Sequence, residues 1–550
     1  MRNIFLFYFI FPVLCFSTNN VNDILFSVDD NHVTKEEFIK VYNKNLDLIT
    51  DQSQKNIDNY LQLYIDYKLK VLEAYDKKYN ENESYISELN KYSAQLASNY
   101  LFDKKSQDSL LKEAYERTKK EINADHILIR IDQESIDTLD IYNRLLSYRS
   151  EFRNNKLEYL KKKYHDGKNV FVENLGYFSA FKMVYSFETK AYETDINQVS
   201  MPFRTRFGFH IVKVNDVRNS LGQVTVGHIM LLKKNNESEL KINSLYDSIV
   251  NGSNFESLAK KYSDDKKTSS LGGKLKPFTS GQLNSLPFEK AAFELQDVGQ
   301  VSKPIQTKFG WHIIKLYSKT ELKSFKELQS SLLKKIKNNS RSSVISNSFY
   351  SKLLKKYAVS YNNDLTYFSN ELNGADNNNP WVIPNNIEKN KLLVSFNNVK
   401  LNYLDFANYI VGNALNNQFI YKPIEELYKN FINESLMNYY KNNLYSENEN
   451  YRFIYNEYRD GLLLFDLMEN EVWNKAKDDT LALKKYYNNN KSLFANVDKT
   501  IKPYDEVSGE VISNYQVLFE KKWINSLREK RTIFIDKKVL KRIKKNIKNR

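Results

Sequence analysis

The amino-acid sequence predicts an α+β protein. Two copies of a small mixed or antiparallel sheet wrapped by helices are inserted in a mostly helical module. Three observations carry that reading. First, four of the six histidines fall into one duplicated frame. His126 sits in A-D-H-I-L-I and His210 in P-F-R-T-R-F-G-F-H-I-V-K-V; His228 sits in V-T-V-G-H-I-M-L and His312 in P-I-Q-T-K-F-G-W-H-I-I-K-L. In each copy 84 residues separate the pair, and the copies lie 102 residues apart. A repeat at fixed period marks a structural unit used twice. Second, each copy reads as strand, amphipathic helices, strand and closing strand. Third, apolar residues outside the copies recur at helical spacing, as in Leu61, Tyr64, Ile65, Leu69 and Leu72.

Composition supports packed cores: 550 residues with 41% hydrophobic and 14% aromatic content, enough for about three or four domains. The net charge of +15 invites a nucleic-acid reading, but the lysines are dispersed among Asn, Tyr, Ile and Phe. Only the tail K-K-V-L-K-R-I-K-K-N-I-K-N-R is dense, and no nucleic-acid-binding module is recognisable, so no nucleic-acid partner is expected. No Gly-rich phosphate loop is present either, so no nucleotide is expected.

Taken in order, Arg2 precedes an apolar run from Ile4 to Phe16. That is short for a membrane span and has the layout of a secretory signal peptide over residues 1–17. Cys15 is the sole cysteine; bulky Leu14 before it argues against a lipid anchor. Cleavage after Ser17 would leave a mature chain without thiols, indifferent to an oxidising compartment. Ile24 to Val33 reads as a hairpin turning at Asp29-Asp30-Asn31, with His32 on its surface. Thr34 to Glu37 then opens a helix as a capping box. Helices are expected over 59–79, 85–102 and 109–122.

After the copies, Ser324 to Glu327 is a second capping box, starting one helix expected to run to about Tyr357. Asn-rich linker fills 360–380. L-V-S-F-N-N-V-K-L-N-Y-L-D-F at Leu393 to Phe406 then echoes L-F-S-V-D-D-N-H-V-T-K-E-E-F at Leu25 to Phe38, at a constant offset of 368. Thr34 pairs with Asn402 as an N-cap, Glu37 with Asp405 and Phe38 with Phe406. A common strand-turn-helix without shared history would look similar. Helices at about 424–445, 451–476 and 504–530, and a strand at 532–535, complete the chain.

The second copy resembles the parvulin (PpiC-type rotamase) peptidyl-prolyl cis-trans isomerases. The matching pieces are Gly227-His228-Ile229, Tyr262 to Asp265, Gly272-Gly273-Lys274-Leu275, Phe278, Gly281-Gln282-Leu283, Phe288-Glu289, Ala292-Phe293 and Phe309 to Ile314. Lys276-Pro277 departs from the family pattern. The whole layout resembles SurA-like periplasmic chaperones with two parvulin domains. The resemblance implies catalytic positions at His228, Asp265, Thr307 and His312, with a prolyl pocket lined by Leu275, Leu283, Phe288 and Phe309. Phe288 lies one residue further from Leu283 than the family's usual spacing. Lone histidines on apolar strands are more often core residues. No third His or Cys stands in frame, so no metal is expected, nor any cofactor. In the first copy, His126, Thr205, Phe207 and His210 survive and Met183 pairs with Leu283. Gly167 falls opposite Asp265, unless a one-residue slip brings in Asp166. Val172-Glu173-Asn174 replaces the Gly-Gly pair. That copy reads as weakly active or inactive, preserved as a fold.

The resemblance implies domains at 1–17 (signal peptide), 18–122 (helical chaperone module), 123–219 (degenerate parvulin domain), 220–319 (active parvulin domain) and 320–550 (helical chaperone-like region). It implies an isomerase and ATP-independent chaperone for unfolded or nascent exported polypeptides, proline-containing and including outer-membrane proteins, in the periplasm. The alternative is a holdase without significant isomerase activity.

Overall fold

A computed structural model describes residues 23–46, 49, 52–131, 138–283, 285–373, 375, 381–415 and 423–548. The signal-peptide stretch and Cys15 lie outside the described residues. The chain divides into two compact units, residues up to 101 with 438–550, and residues 102–437. The protein is α+β, with helices around small antiparallel sheets. Among the described residues no helix is long and apolar enough to cross a membrane.

In the first unit, β1 (Ile24–Val28) pairs with β2 (Asn31–Thr34) and with β13 (Ile533–Ile535). Thr34 Oγ1 accepts the Glu37 N–H and starts helix Lys35–Asn45. Helix Ile57–Asp76 buries Leu61, Tyr64, Ile65 and Leu69, the face that apolar spacing marks. Phe38 is fully buried against the rings of Tyr42, Tyr60 and Tyr64; truncation there would cost about 3–5 kcal/mol. The helices expected at 59–79 and 85–102 run over Ile57–Asp76 and Glu83–Ser98. The basic tail forms helix Lys537–Lys548, whose Val539 and Ile543 are buried in this same core; charge density hid its apolar stripe.

In the second unit, helix Lys104–Thr118 ends before the sequence suggests, because the strand carrying His126 begins at Lys120. The first copy contains β3 (Lys120–Arg130), β4 (Val170–Phe178), β5 (Phe203–Thr205) and β6 (Gly208–Asn219), in sheet order β4-β3-β6-β5. The second contains β7 (Gln223–Leu231), β8 (Ile305–Thr307) and β9 (Gly310–Thr320), in order β7-β9-β8. The repeat extends to register. Leu128 faces His210 as Met230 faces His312, and both pairings bulge at matching positions earlier in the strand, Asn123/Ala124 and Thr225/Val226. Where the first copy has β4, the second has, among the described residues, only bridges Val224↔Phe278 and Gly227↔Lys274. Pro277 has no N–H to give a ladder there.

Both faces of the second sheet are covered. Ile229, Leu231 and Ile313 pack on Ile242, Leu245, Phe255 and Ala259 of the helices on one side. Val224, Val226, Ile314 and Leu316 pack on Phe278, Phe288, Ala292 and Phe293 on the other. The single helix expected from Ser324 is two, Phe325–Lys337 and Arg341–Lys356, broken at Asn338-Asn339-Ser340. Ser324 and Glu327 do form the reciprocal cap.

The echo is a structural repeat as well. β11 (Leu392–Phe396) and β12 (Val399–Asn402) pair with the register of β1 and β2, including the bulge after the first residue. The turn residues Asp29 and Asn397 share positive φ, +49° and +47°. Asn402 Oδ1 accepts the Asp405 N–H as Thr34 does for Glu37. The linker expected at 360–380 includes β10 (Ser360–Tyr361), which pairs with β11, and helix Thr366–Glu371. The helix expected at 424–445 runs over Ile424–Glu447; that at 451–476 runs over Glu449–Met468 and continues through a π turn at Glu469–Trp473 to Asp478; the last long helix runs over Tyr504–Lys530.

Candidate active site

In the second copy, β7 and β9 turn His228 and His312 to the same face, toward helix Leu286–Glu294. The rings lie 5.5 Å apart and nearly parallel. Phe288 meets both edge-on, at 5.5 and 5.3 Å. A row of hydrogen bonds crosses the face. His228 Nε2 is 2.8 Å from Asp265 Oδ2, His228 Nδ1 is 3.3 Å from His312 Nδ1, and His312 Nε2 is 2.9 Å from Thr307 Oγ1.

Carboxylate oxygens only accept, which fixes the direction of the row. His228 donates from Nε2 to Asp265 and accepts at Nδ1. His312 donates from Nδ1 and accepts at Nε2 the Thr307 hydroxyl proton. Thr307 Oγ1 in turn accepts the Phe309 N–H at 3.0 Å. Every bond is satisfied with both imidazoles neutral. Electrostatics agree. Burial lowers the His228 pKa, against the pull of Asp265. Burial and then repulsion from His228 push His312 down to about 4. Burial opposes ionisation of Asp265, yet hydrogen bonds from Thr268 and His228 outweigh it and hold the carboxyl below its ordinary range.

Local sequence explains the placement. Asp265 N-caps the turn Lys266–Ser269, accepting the Lys267 N–H through Oδ1, which leaves Oδ2 for His228 and the Thr268 hydroxyl. Gly273 has φ +82°, and a Cβ there would lie 2.3 Å from His228 O. That contact is why the chain needs glycine beside β7, and it lets Leu275 bond back to Val226 O. Leu275 and Leu283 are half-buried against the cluster that contains Phe288. Phe288, despite its unusual spacing, is central. Phe309 is 47% exposed and stands at the rim. Thr268, 3.2 Å from His228 Nε2, had no signal beyond its position in the cap. Glu289 accepts the N–H groups of Gly281 and Leu283 at 2.8 and 2.5 Å, and its raised pKa reflects burial first.

The first copy keeps half of this. Thr205 Oγ1 lies 2.8 Å from His210 Nε2 and accepts the Phe207 N–H. Phe187 stands edge-on to both rings, as Phe288 does. The imidazoles are 5.7 Å apart but do not bond; Nδ1 of each is buried without a partner. The sequence suggests that this copy lacks a carboxylate unless Asp166 slips into place. The structure corrects that. Asp166 caps three backbone N–H groups, of Lys168, Asn169 and Val170, at 2.8 Å each. Glu173 reaches His126 Nε2 instead, at 3.2 Å. It comes from β4, in the stretch that replaces the Gly-Gly pair. Met183 lies half-buried beside Phe178 and Phe187, and Phe207 is 43% exposed. Glu188, the successor of Phe187, is fully buried and paired with Arg117 and Arg341.

Residues 126–216 and 227–318 each match the family model described as Rotamase, PPIC-type PPIASE domain. Similar proteins include Foldase protein PrsA 3 of Bacillus anthracis, 39% identical over 126 residues, 23% of this chain and 42% of that protein. Foldase protein PrsA 4 of Bacillus cereus is 30% identical over 188 residues, 33% of this chain and 59% of that protein. Chaperone SurA of Chromohalobacter salexigens is 35% identical over 130 residues, 22% of this chain and 29% of that protein. The chain spans under two thirds of each of these relatives. Its two histidine-bearing copies are parvulin domains of the PPIC type, the peptidyl-prolyl cis-trans isomerase fold.

Proposed function

We propose that the protein is a peptidyl-prolyl cis-trans isomerase and ATP-independent chaperone for unfolded, exported polypeptides in the periplasm, outer-membrane proteins among them. The row Asp265–His228–His312–Thr307 beneath Phe288 carries the reading. Isomerising an X-Pro bond makes and breaks no covalent bond. It needs passage through a twisted amide, slow without help, at tens to hundreds of seconds. Leu275, Leu283 and Phe288 offer an apolar seat for the prolyl ring, with Phe309 at its rim. The twisted amide loses conjugation, and its carbonyl carries less negative charge than the planar one. A site bordered by an ionised Asp265 and two neutral imidazoles favours that less polarised state over the planar ground state. In this reading 220–319 is the active domain and 123–219 is a fold-preserving copy that binds chain. The helical segments 18–122 and 320–550 carry the chaperone work. Relatives named as foldases and as a chaperone support the pairing of roles.

The test pairs a proline-peptide isomerisation assay with light scattering of an unfolded outer-membrane protein, using the full chain. Isomerase activity that falls at least about tenfold in Asp265→Ala/Leu283→Ala, with aggregation suppression retained, supports both assignments. A wild-type chain without isomerase activity leaves the holdase alternative.

A further inference from the structure

We propose that the first copy is a positioning part of the second copy's site: the edge of β4 and Arg218 hold the 279–283 segment, and with it Leu283, on the pocket. The inference rests on the reading of the second copy as the catalytic centre.

Residues 279–283 lie outside any helix or strand. Within its own copy Glu289 gathers this segment, accepting the N–H groups of Gly281, Gln282 and Leu283, and Gln282 Oε1 accepts from Thr279. Segments without a helix or strand ladder of their own lie at the low-stability end of a fold. The other side of this segment is the first copy. Arg218 Nη2 donates to Ser280 Oγ at 3.4 Å, and Ser280 is buried. Gly281 has φ +73°, and a Cβ there would lie 2.7 Å from Tyr177 O and 3.2 Å from Phe178 Cα. The segment therefore runs directly over β4. Leu286, which opens the helix bearing Phe288, fills the space above Gly176.

The supporting surface is itself fixed. Arg218 Nε donates to Glu121 at 2.8 Å, and its guanidinium sits 3.5 Å over the Tyr177 ring. Tyr177 donates its hydroxyl to Asp216, and buried Glu121 also accepts the Leu221 N–H. Lys182 of the first copy attracts Glu289, the residue that gathers the segment from within. One wall of the second copy's pocket is thus clamped between its own Glu289 and the β4 edge of its neighbour. Erosion of the first copy's own site leaves this duty untouched, because Gly176, Tyr177 and Arg218 lie away from its imidazoles.

The experiment uses the full chain. Glu121→Gln with Arg218→Met removes the charge pair together, so no buried charge is orphaned; Gly281→Ala forces the segment away from Tyr177. Loosening the pocket wall removes binding made equally in ground and transition states, which raises KM, and should lower kcat/KM about tenfold. The loss should appear in KM, because the imidazole row is untouched, and Arg218→Lys should recover part of it. Hydrogen exchange over 276–288 should quicken, with the unfolding midpoint of the chain little changed. Unchanged exchange over 276–288 in both variants overturns the proposal, whether activity is kept or is lost through kcat. A wild-type chain without isomerase activity would count against the functional reading, and the exchange result would still decide the positioning.

Discussion

Acidification should weaken the second copy through His312. The ring is 3% exposed, and burial with repulsion from His228 holds its pKa at about 4 against an ordinary 6.5. The unfolded chain restores the ordinary value, so between these limits the unfolded state binds a proton that the folded state refuses. Stability from this group is fully present above pH 6.5 and is lost as pH falls toward 4. The gap between 6.5 and about 4 corresponds to about 3 kcal/mol at 1.36 kcal/mol per unit. A proton on Nε2 would also face the Thr307 hydroxyl, which then has to turn toward Gly310 O, 3.4 Å away. Denaturant unfolding of wild type and His312→Gln at pH 7 and pH 4 isolates the effect. The difference between them should shift by about 3 kcal/mol against wild type at the lower pH. Histidine ring NMR should show no titration of His312 above pH 5. A pKa of 6 or more for that ring would refute the buried, neutral row.

Thr307→Val removes the hydroxyl that His312 Nε2 accepts, leaving a buried acceptor unpaired; a cost of about 1–3 kcal/mol should appear in chemical denaturation, with lower isomerase activity. Arg341→Met strips one cation from fully buried Glu188 and leaves Arg117 as its ionic partner. A loss of about 3 kcal/mol is expected in the same assay, and Glu188→Gln in the same chain should recover part of it. Mass spectrometry of the exported protein should find a mature N-terminus near Ser17; an intact Met1 in a cytoplasmic fraction would contradict export.

The parts legible in the sequence were those set by local period and by repetition. The offset of 102 located four histidines whose strands keep one register down to the bulge. The offset of 368 found two hairpins with the same turn conformation. Partners supplied by a different element were harder to read. Glu173 reaches His126 from β4, whereas Asp265 reaches His228 from a capping turn, so alignment by position misses it. Phe187 and Glu188 stand one residue out of the histidine frame relative to Phe288 and Glu289, and the loop ahead of them has lost its Gly-Gln-Leu mark. Helix Lys537–Lys548 was hidden by charge, since only one narrow stripe through Val539 and Ile543 is apolar. Contacts between the copies, such as Arg218 on Ser280, have no periodic signature.

The most direct test of the central claim compares matched double variants of the two copies in the full chain, reading kcat/KM on a proline peptide. Asp265→Ala/Leu283→Ala removes the carboxylate and one pocket wall of the second copy; Glu173→Ala/Met183→Ala removes the carboxylate and the Leu283 counterpart of the first. The account predicts a loss of about a hundredfold for the first pair of changes and less than about threefold for the second, the general range for removing transition-state contacts. Full activity in Asp265→Ala/Leu283→Ala, or a collapse confined to Glu173→Ala/Met183→Ala, would contradict it.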